Sequence, residues 1–207
     1  MNGINVQNVS ITLGDTPVLR NFSLSVAEGE MIALMGPSGS GKTTLLNCLS
    51  RILVPDTGSI LGMERPRITY LFAENRLIPH LSGIKNLRLA MESPSDDVAM
   101  DILNRLGFTP QEARRQVSQL SFGMARRVAV GRAIAHNGNV YLLDEPVYGL
   151  DAATHNLVIT ELKSFLSGKT GILVTHEADV AQRLASRILT MEDLNHLPNA
   201  KEAYHPT

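Results

Sequence analysis

The sequence of 207 residues contains few cysteine and aromatic residues: it has no tryptophan, one cysteine and 4% aromatic residues. With Cys48 alone no intrachain disulfide can form, which fits a reducing compartment. The formal net charge of −1 provides no excess charge for binding nucleic acid. No stretch approaches about 18 consecutive apolar residues, and the first residues lack the pattern of a signal peptide. We therefore expect a globular chain that does not bind nucleic acid and reaches a membrane only through partner proteins.

Short apolar runs alternate with helical patterns along the chain. Met31–Met35 and Val140–Leu143 are continuous apolar runs, typical of strands that are buried on both faces. In the N-terminal third, Val9, Ile11 and Leu13 alternate with polar residues, which indicates a sheet with one wet face. The pattern predicts an α/β fold with a mainly parallel sheet, an N-terminal antiparallel β subdomain and an inserted helical lobe.

The same patterns predict how the chain is organised. We expect a single domain over residues 1–207, whose core and β subdomain occupy residues 1–73 and 138–197. The helical lobe is predicted over residues 74–137. Residues 198–207 are polar and are expected to form a frayed tail.

A glycine-rich segment separates the strand predicted at Met31–Met35 from the helix after it. The segment matches G-x-x-x-x-G-K-[ST] in full and, with the next threonine, comprises Gly36, Pro37, Ser38, Gly39, Ser40, Gly41, Lys42, Thr43 and Thr44. Glycines let backbone N–H groups turn inward around a β-phosphate, Lys42 brings positive charge to the β- and γ-phosphates, and the Thr43 hydroxyl is a ligand for Mg²⁺. The segment therefore predicts the phosphate-binding loop of a P-loop NTPase.

Two carboxylates end the apolar run at Val140–Leu143. Ligands of open α/β sheets bind at the carboxyl ends of the strands. Asp144 is therefore expected to hold Mg²⁺, and Glu145 to act as the general base that polarises the attacking water. The alternative is that the two residues only cap a turn before Pro146.

The segment from Leu120 to Ala133 has the sequence LSFGMARRVAVGRA. It resembles the signature motif and following basic helix of the ABC-type ATPases, and the signature positions are Ser121, Phe122, Gly123 and Met124. The resemblance implies that this helix N-terminus reaches the γ-phosphate held by a second subunit. A hydroxyl, bare N–H groups and the helix dipole can together bind a phosphate. The alternative is that Ser121 is only a helix N-cap.

Two further segments extend the resemblance, which covers residues 4–190. Gly149–Asp151 is similar to the family's D-loop, in which Asp151 would contact the opposing subunit. His176, just past a predicted strand, is similar to the histidine that contacts the γ-phosphate and steadies the attacking water. The resemblance implies catalytic roles for Glu145 and His176, ATP and Mg²⁺ as ligands, and an ATP-dependent homodimer.

The chain departs from the family pattern at three positions. Ala73 replaces the glutamine that contacts Mg²⁺ and couples the site to a transmembrane partner, and the adjacent Glu74 could substitute for it only if the loop shifts. Leu13 replaces the aromatic residue that stacks on adenine, so base stacking should be weaker. Phe122 replaces the first signature glycine, whereas Gly123 is kept. Because the catalytic pair Glu145 and His176 is intact, we still expect an active ATPase.

The resemblance implies that the chain is the ATPase subunit of a membrane transporter. It would bind permease subunits at the cytoplasmic face of the membrane, and an importer would also have a substrate-binding protein. The short span from Gly58 to Phe72 resembles nitrate-, sulfonate- and taurine-type importer ATPases. The apolar Leu77, Ile78 and Leu81 are expected to form a groove for a permease helix, with packing inside the lobe as the alternative.

Two other functions are compatible with a phosphate loop. A non-transport ABC ATPase would act in DNA repair or cell-envelope mechanics, but the short distance from Lys42 to Ser121 leaves no room for the long insertion of the DNA-repair members. A small-molecule kinase would lack the signature helix. The cargo and the direction of transport cannot be predicted from this sequence.

Overall fold

The computed structural model describes residues 3–63 and 66–195. In chain order its elements are β1 (Ile4–Leu13), β2 (Thr16–Val26), β3 (Met31–Met35), α1 (Lys42–Leu49), β4 (Thr57–Leu61), β5 (Ile68–Leu71), α2 (Gly83–Arg88), α3 (Asp96–Arg105), α4 (Pro110–Ala113), α5 (Phe122–His136), β6 (Val140–Asp144), α6 (Ala152–Leu166), β7 (Thr170–Val174), α7 (Ala178–Leu184), β8 (Arg187–Thr190) and α8 (Met191–Asn195). A short 3₁₀ turn at Val117–Gln119 precedes α5.

The chain divides into two compact units, one formed by Met1–Pro66 with Gly168–Thr207 and the other by Arg67–Ser167. In the first unit, β1 pairs antiparallel with both β2 and β4. In the same unit, β3 lies between β7 and β8 and is parallel to both. The side chains of Ile32, Ala33 and Leu34 are completely buried, as expected for a continuous apolar strand with neighbours on both sides.

The register of the parallel strands fixes where their loops emerge in the first unit. Leu34 of β3 lies opposite Val174 of β7 and Leu189 of β8. The carboxyl ends of all three strands therefore lie at one edge, where ligands of open α/β sheets bind.

The second unit pairs β5 with β6 in parallel and carries helices α2 to α5 between them in sequence. Serine and threonine hydroxyls cap these helices, because each accepts a hydrogen bond from a backbone N–H of the first turn. The caps are Ser82, Ser95, Thr109 and Ser121. At Thr109 the Glu112 side chain returns the bond, forming a capping box that fixes the start of α4.

This architecture confirms the predicted α/β fold, with mainly parallel strands, an N-terminal antiparallel sheet and helices inserted between two strands. Within the described ranges, no helix combines the length and apolar character that a bilayer span requires. The tail predicted at residues 198–207 lies outside the described residues.

Two local predictions are wrong. The apolar residues Leu45, Leu46, Leu49, Ile52 and Leu53 predict a largely buried helix that stops before Pro55, but α1 ends at Leu49 and Ile52 is 54% exposed. The alternation through Val9, Ile11 and Leu13 does not continue to its end. Shifts in register on either side of Ile11 interrupt the pairing of β1 with β2, and Leu13 is 45% exposed.

Candidate nucleotide-binding and catalytic site

The phosphate loop, residues 36–44, connects β3 to α1 in the first unit. Gly41 has a φ of 96°, and a Cβ there would lie 2.8 Å from the Leu19 side chain, so only glycine fits against β2. Gly39 has a φ of 82°, and a Cβ there would meet nothing within 4 Å. The loop is thus anchored at one end and open at Gly39, where a ligand can approach the backbone.

Lys42 begins α1, and its ammonium group folds back over the loop. Its Nζ donates hydrogen bonds to the carbonyl oxygens of Gly36 and Pro37, both at 2.7 Å. The N–H of Leu45 bonds to the Gly41 carbonyl at 2.8 Å, so the N–H groups before Leu45 point out of the helix N-terminus. A positive charge and outward donors in one loop can bind an anion as highly charged as a triphosphate.

The donors available for a metal fit Mg²⁺ carried by a nucleotide. Thr43 is exposed in the first turn of α1, and Asp144 ends β6 in the second unit. Magnesium prefers oxygen ligands and keeps several waters beside phosphate oxygens. In the part of the chain that the structure describes, no group of three or more His, Cys, Asp or Glu side chains could hold a metal. Taken separately, each of these two donors could be only one ligand of an ion whose other ligands are phosphates and water.

His176 follows β7 and is exposed. Because Leu34 lies opposite Val174, His176 and the phosphate loop leave adjacent strands at the same edge of the first unit. The neighbouring Thr175 is fully buried, and its Oγ1 accepts a hydrogen bond from the Glu177 N–H at 3.1 Å. This hydrogen bond joins the residues immediately before and after His176 and thereby fixes the turn that carries it.

In the second unit, the two predicted carboxylates end β6. Asp144 is 2% exposed, and Glu145 has a φ of 48°, a left-handed conformation that is uncommon outside glycine. Leu143 lies opposite Leu71 of β5, so the turn after β6 and the loop after β5 leave the same edge. The strand order thus places Glu145 beside the loop that carries Ala73.

Glu74 does not replace the missing glutamine at Ala73 in this conformation. Ala73 is exposed, and the Glu74 carboxylate forms an ion pair with Arg76 at 3.4 Å. The Arg76 guanidinium in turn lies 3.7 Å from the centroid of the Phe72 ring, which stacks on Tyr70. Glu74 would have to leave this surface cluster to reach a metal.

Arg126 of α5 is a site candidate that the motifs do not reveal. Its side chain is fully buried, and this loss of solvation lowers the pKa of Arg126 to about 10. The negative charges of Asp144, Glu145 and Glu74 act in the opposite direction and raise the pKa. It donates hydrogen bonds to five backbone carbonyl oxygens, those of Phe72, Ala73, Asp144, Glu145 and Pro146. The one signal in the sequence is its spacing from Val130 and Ala133, which places it on the buried face of the helix.

The signature residues lie at the start of α5. Ser121 is the N-cap, and its Oγ accepts a hydrogen bond from the Met124 N–H at 3.2 Å. The alternative that Ser121 caps the helix is therefore observed, and a contact with phosphate remains a proposal. Phe122 is 56% exposed and meets Tyr148 edge to face, with 6.3 Å between ring centroids. Gly123 follows in the first turn and is half-buried.

The signature helix contacts the segment similar to the D-loop. A Cβ on Gly123 would lie 3.6 Å from the Gly149 carbonyl oxygen, so the two backbones are close. Asp151 caps α6 by accepting hydrogen bonds from the N–H groups of Ala153 and Thr154, both at 3.1 Å. The hydrogen bond from the Thr154 hydroxyl is the main cause that lowers the Asp151 pKa. The structure thus brings these two segments together in one unit.

Comparison with known proteins shows which family the chain resembles. Residues 19–148, more than half of the chain, match the family described as ABC transporter. An arginine transport ATP-binding protein of Bacillus subtilis is 32% identical over 91% of this chain and 87% of its own length. A glutamine transport ATP-binding protein of Escherichia coli is 31% identical over the same shares. A spermidine/putrescine import ATP-binding protein of Legionella pneumophila is 35% identical over 90% of this chain and 56% of its own length.

Solved structures give the same result. A dimeric bacterial ABC transporter cassette has a TM-score of 0.80 and 30% identity, over 90% of this chain and 93% of that one. A dimeric ATP-binding cassette in a post-hydrolysis state, bound to ADP and phosphate, has a TM-score of 0.79 and 29% identity over the same shares. The chain therefore belongs to the ABC transporter family, as an ATP-binding cassette that hydrolyses ATP.

Proposed function

We propose that this chain is the ATP-hydrolysing subunit of a membrane importer. The observation that carries the proposal is the phosphate loop, in which the Lys42 ammonium group lies among loop carbonyls at the start of α1. The relatives named above, which match nearly the whole chain, are named for the transport of arginine, glutamine and spermidine or putrescine. These names do not support the narrower likeness to nitrate-, sulfonate- and taurine-type ATPases.

The residues divide the chemistry as follows. The phosphate loop binds the triphosphate, and Lys42 neutralises charge on the β- and γ-phosphates. Thr43 and Asp144 are the residues that would hold Mg²⁺, which would further neutralise the phosphate charge when bound. Glu145 accepts a proton from the attacking water, and His176 orients that water against the γ-phosphate.

A second copy of the chain completes this arrangement. The N-terminus of α5, with Ser121, Gly123 and Met124, offers N–H groups to the γ-phosphate bound by the partner copy. The exposed segment Gly149–Asp151 lies against the same helix end, so both segments would face the partner. The dimeric form of the two related cassettes supports this proposal.

Permease subunits would bind the cassette at the inner face of the cell membrane. The loop after β5 supports such a contact, because Leu77, Ile78 and Leu81 remain half-buried. The Asn86 side chain holds this loop by hydrogen bonds to the Ile78 N–H at 2.8 Å and the Ile78 carbonyl at 3.1 Å. A substrate-binding protein would deliver the cargo from outside.

Glu145→Gln tests the proposal, because the amide keeps the shape of the side chain and loses the base. We expect hydrolysis by the purified variant to fall by about 10²–10⁴-fold while MgATP binding is retained. In cells that lack the native gene, the variant should fail to restore uptake of labelled amino acids or polyamines. Glu92→Gln is the control, since the Glu92 side chain is 82% exposed and pairs only at the surface with Arg67.

Two results would count against the proposal, and they differ. Hydrolysis by Glu145→Gln within tenfold of wild type would remove Glu145 from the role of base. If loss of the gene changed the uptake of none of the labelled amino acids or polyamines, the chain would not be an importer subunit for these cargoes. The proposed ATPase activity would be unaffected by that result.

A further inference from the structure

Arg126 ties together two loops that leave adjacent strands of the second unit. Its Nη1 lies 2.7 Å from the Phe72 carbonyl and 3.2 Å from that of Ala73, in the loop after β5. Its Nη2 lies 2.7 Å from the carbonyls of both Asp144 and Glu145, after β6. Because Leu71 and Leu143 are paired neighbours, one guanidinium spans both loops.

Only arginine can make this set of contacts. A guanidinium has five N–H donors in a planar fork, whereas lysine has three on a point charge and glutamine has two. Burying a charge is costly unless other charges and hydrogen bonds offset it. Here the carboxylates of Asp144, Glu145 and Glu74 act on Arg126 in the favourable sense.

The contacts bear directly on the backbone of Glu145. Glu145 has a left-handed φ of 48°, and Arg126 donates hydrogen bonds to the carbonyls on both sides of that residue's Cα. The Tyr148 N–H also bonds to the Glu145 carbonyl, at 3.2 Å. A change in either loop would therefore turn the Glu145 side chain.

We propose that Arg126 is a positioning residue for ATP hydrolysis: it fixes the backbone of Glu145 and couples it to the loop that carries Ala73. This inference rests on the proposed role of Glu145. The coupling runs through the main-chain carbonyls of Phe72 and Ala73, so it does not need the glutamine that the chain lacks. Because Arg126 is fully buried, it does not touch nucleotide. Its loss should affect turnover and leave nucleotide binding intact.

The experiment compares Arg126→Gln and Arg126→Lys with Arg127→Gln as the matched control. Arg127 is the next residue of α5, but its Nη1 donates to the carbonyls of Leu106 and Gly107, at 2.7 and 3.2 Å, and its guanidinium lies over the Phe108 ring. Both arginines stabilise the unit, and only Arg126 contacts the carboxyl ends of β5 and β6. The amount of folded protein is counted by stoichiometric titration with a fluorescent nucleotide, and kcat and KM are expressed per binding site.

We expect Arg126→Gln to lower kcat by about tenfold or more, with KM and nucleotide affinity within about twofold of wild type. Arg126→Lys, which keeps the charge and some of the donors, should lie between wild type and Arg126→Gln. If Arg126→Gln does not fold, Arg126→Lys carries the test alone. Arg127→Gln should lower the free energy of unfolding and leave kcat per folded molecule within about twofold.

Glu145→Gln is measured in parallel, so that the two ideas can fail separately. Turnover retained by Glu145→Gln would refute Glu145 as the base. If Glu145→Gln is inactive and the folded Arg126 variants turn over like wild type or like Arg127→Gln, the positioning role is overturned. A rise in KM with unchanged kcat would overturn it as well, because that pattern indicates lost ground-state binding.

Discussion

Glu145 holds a left-handed backbone that costs about 1–3 kcal/mol for a residue with a side chain. Glycine would adopt this conformation freely but has no carboxylate to offer. At the residue proposed as the base, this cost is offset by the hydrogen bonds from Arg126 to the carbonyls on either side. The Asp-Glu pair at a strand end predicts the carboxylates, but the sequence does not show the turn that aims Glu145.

Leu13 leads to a prediction about nucleotide selectivity. It is the last residue of β1 and 45% of its surface is exposed, and an aliphatic side chain there should stack weakly on a base. Phe22, an aromatic residue of the same sheet, is completely buried and cannot provide its ring instead. We expect GTP to be hydrolysed within about tenfold of ATP, since a stacked aromatic ring is worth about 1–3 kcal/mol per base.

Leu13→Tyr should lower KM for both nucleotides by restoring the ring. Leu61→Tyr is its control, because Leu61 is 46% exposed on β4 of the same sheet. Steady-state kinetics with ATP and GTP provide the readout. A wild-type preference for ATP of a hundredfold or more would show that another group already recognises the base.

At the scale of elements, the sequence predicts those whose pattern is local. Continuous apolar runs predict β3 and β6, and Ser121 marks the start of α5 because a hydroxyl caps the first turn. The strand at Thr57–Leu61 was not predicted, because four of its residues are exposed and its pairing partner lies far away in β1. The end of α1 was misplaced because Ile52 continues the apolar spacing although the helix has already ended.

The contact between the signature helix and the loop after β6 gives an element-scale prediction. Gly149 has a φ of 75°, and a Cβ there would lie 2.8 Å from Cδ1 of Phe122. Gly149→Ala should therefore lower the free energy of unfolding in two ways. The left-handed backbone costs about 1–2 kcal/mol for alanine, and the clash displaces the Phe122 ring.

Gly168→Ala separates the two effects, since Gly168 has a φ of 70° and a Cβ there would meet nothing within 4 Å. Urea denaturation should show a greater decrease in the free energy of unfolding for Gly149→Ala than for Gly168→Ala. In a Phe122→Ala background the excess should disappear, a coupling of about 0.5 kcal/mol or more. Equal losses for the two glycine variants would mean that Phe122 gives way without cost.

At the scale of the whole molecule, the motifs predict which residues act, and tertiary structure shows what holds them. The phosphate loop, the carboxylates and the signature are each contained in a few consecutive residues, so the order of motifs is enough to find them. Arg126 contacts two segments that are distant in sequence from it, Phe72–Ala73 and Asp144–Pro146. The spacing from Val130 and Ala133 indicates that Arg126 is on the buried face of α5, but its contacts with the two strand ends become visible only in the folded structure.

The exposed end of α5 suggests that the working molecule is larger than one chain. Phe122 and Tyr148 leave 56% and 55% of their surfaces exposed beside the Ser121 cap, which is unusual for paired aromatic rings on an isolated protein. A second copy that brings a nucleotide to this helix end would cover them. The copies should therefore associate only when ATP is bound and persist only when it is not hydrolysed.

Light scattering on Glu145→Gln tests this directly. Without nucleotide the variant should have the mass of one chain. Saturating ATP should double the mass, because the proposed site would place trapped ATP between the phosphate loop of one copy and the signature helix of the other. Adding Lys42→Ala should prevent the doubling, since the lost ammonium group weakens phosphate binding.

Adding Phe122→Ala should raise the protein concentration needed for half-maximal association, since it removes the exposed ring at the contact and leaves the phosphate loop untouched. A single-chain mass at saturating ATP, with ATP shown to be bound by equilibrium dialysis, would contradict a site completed by a second copy.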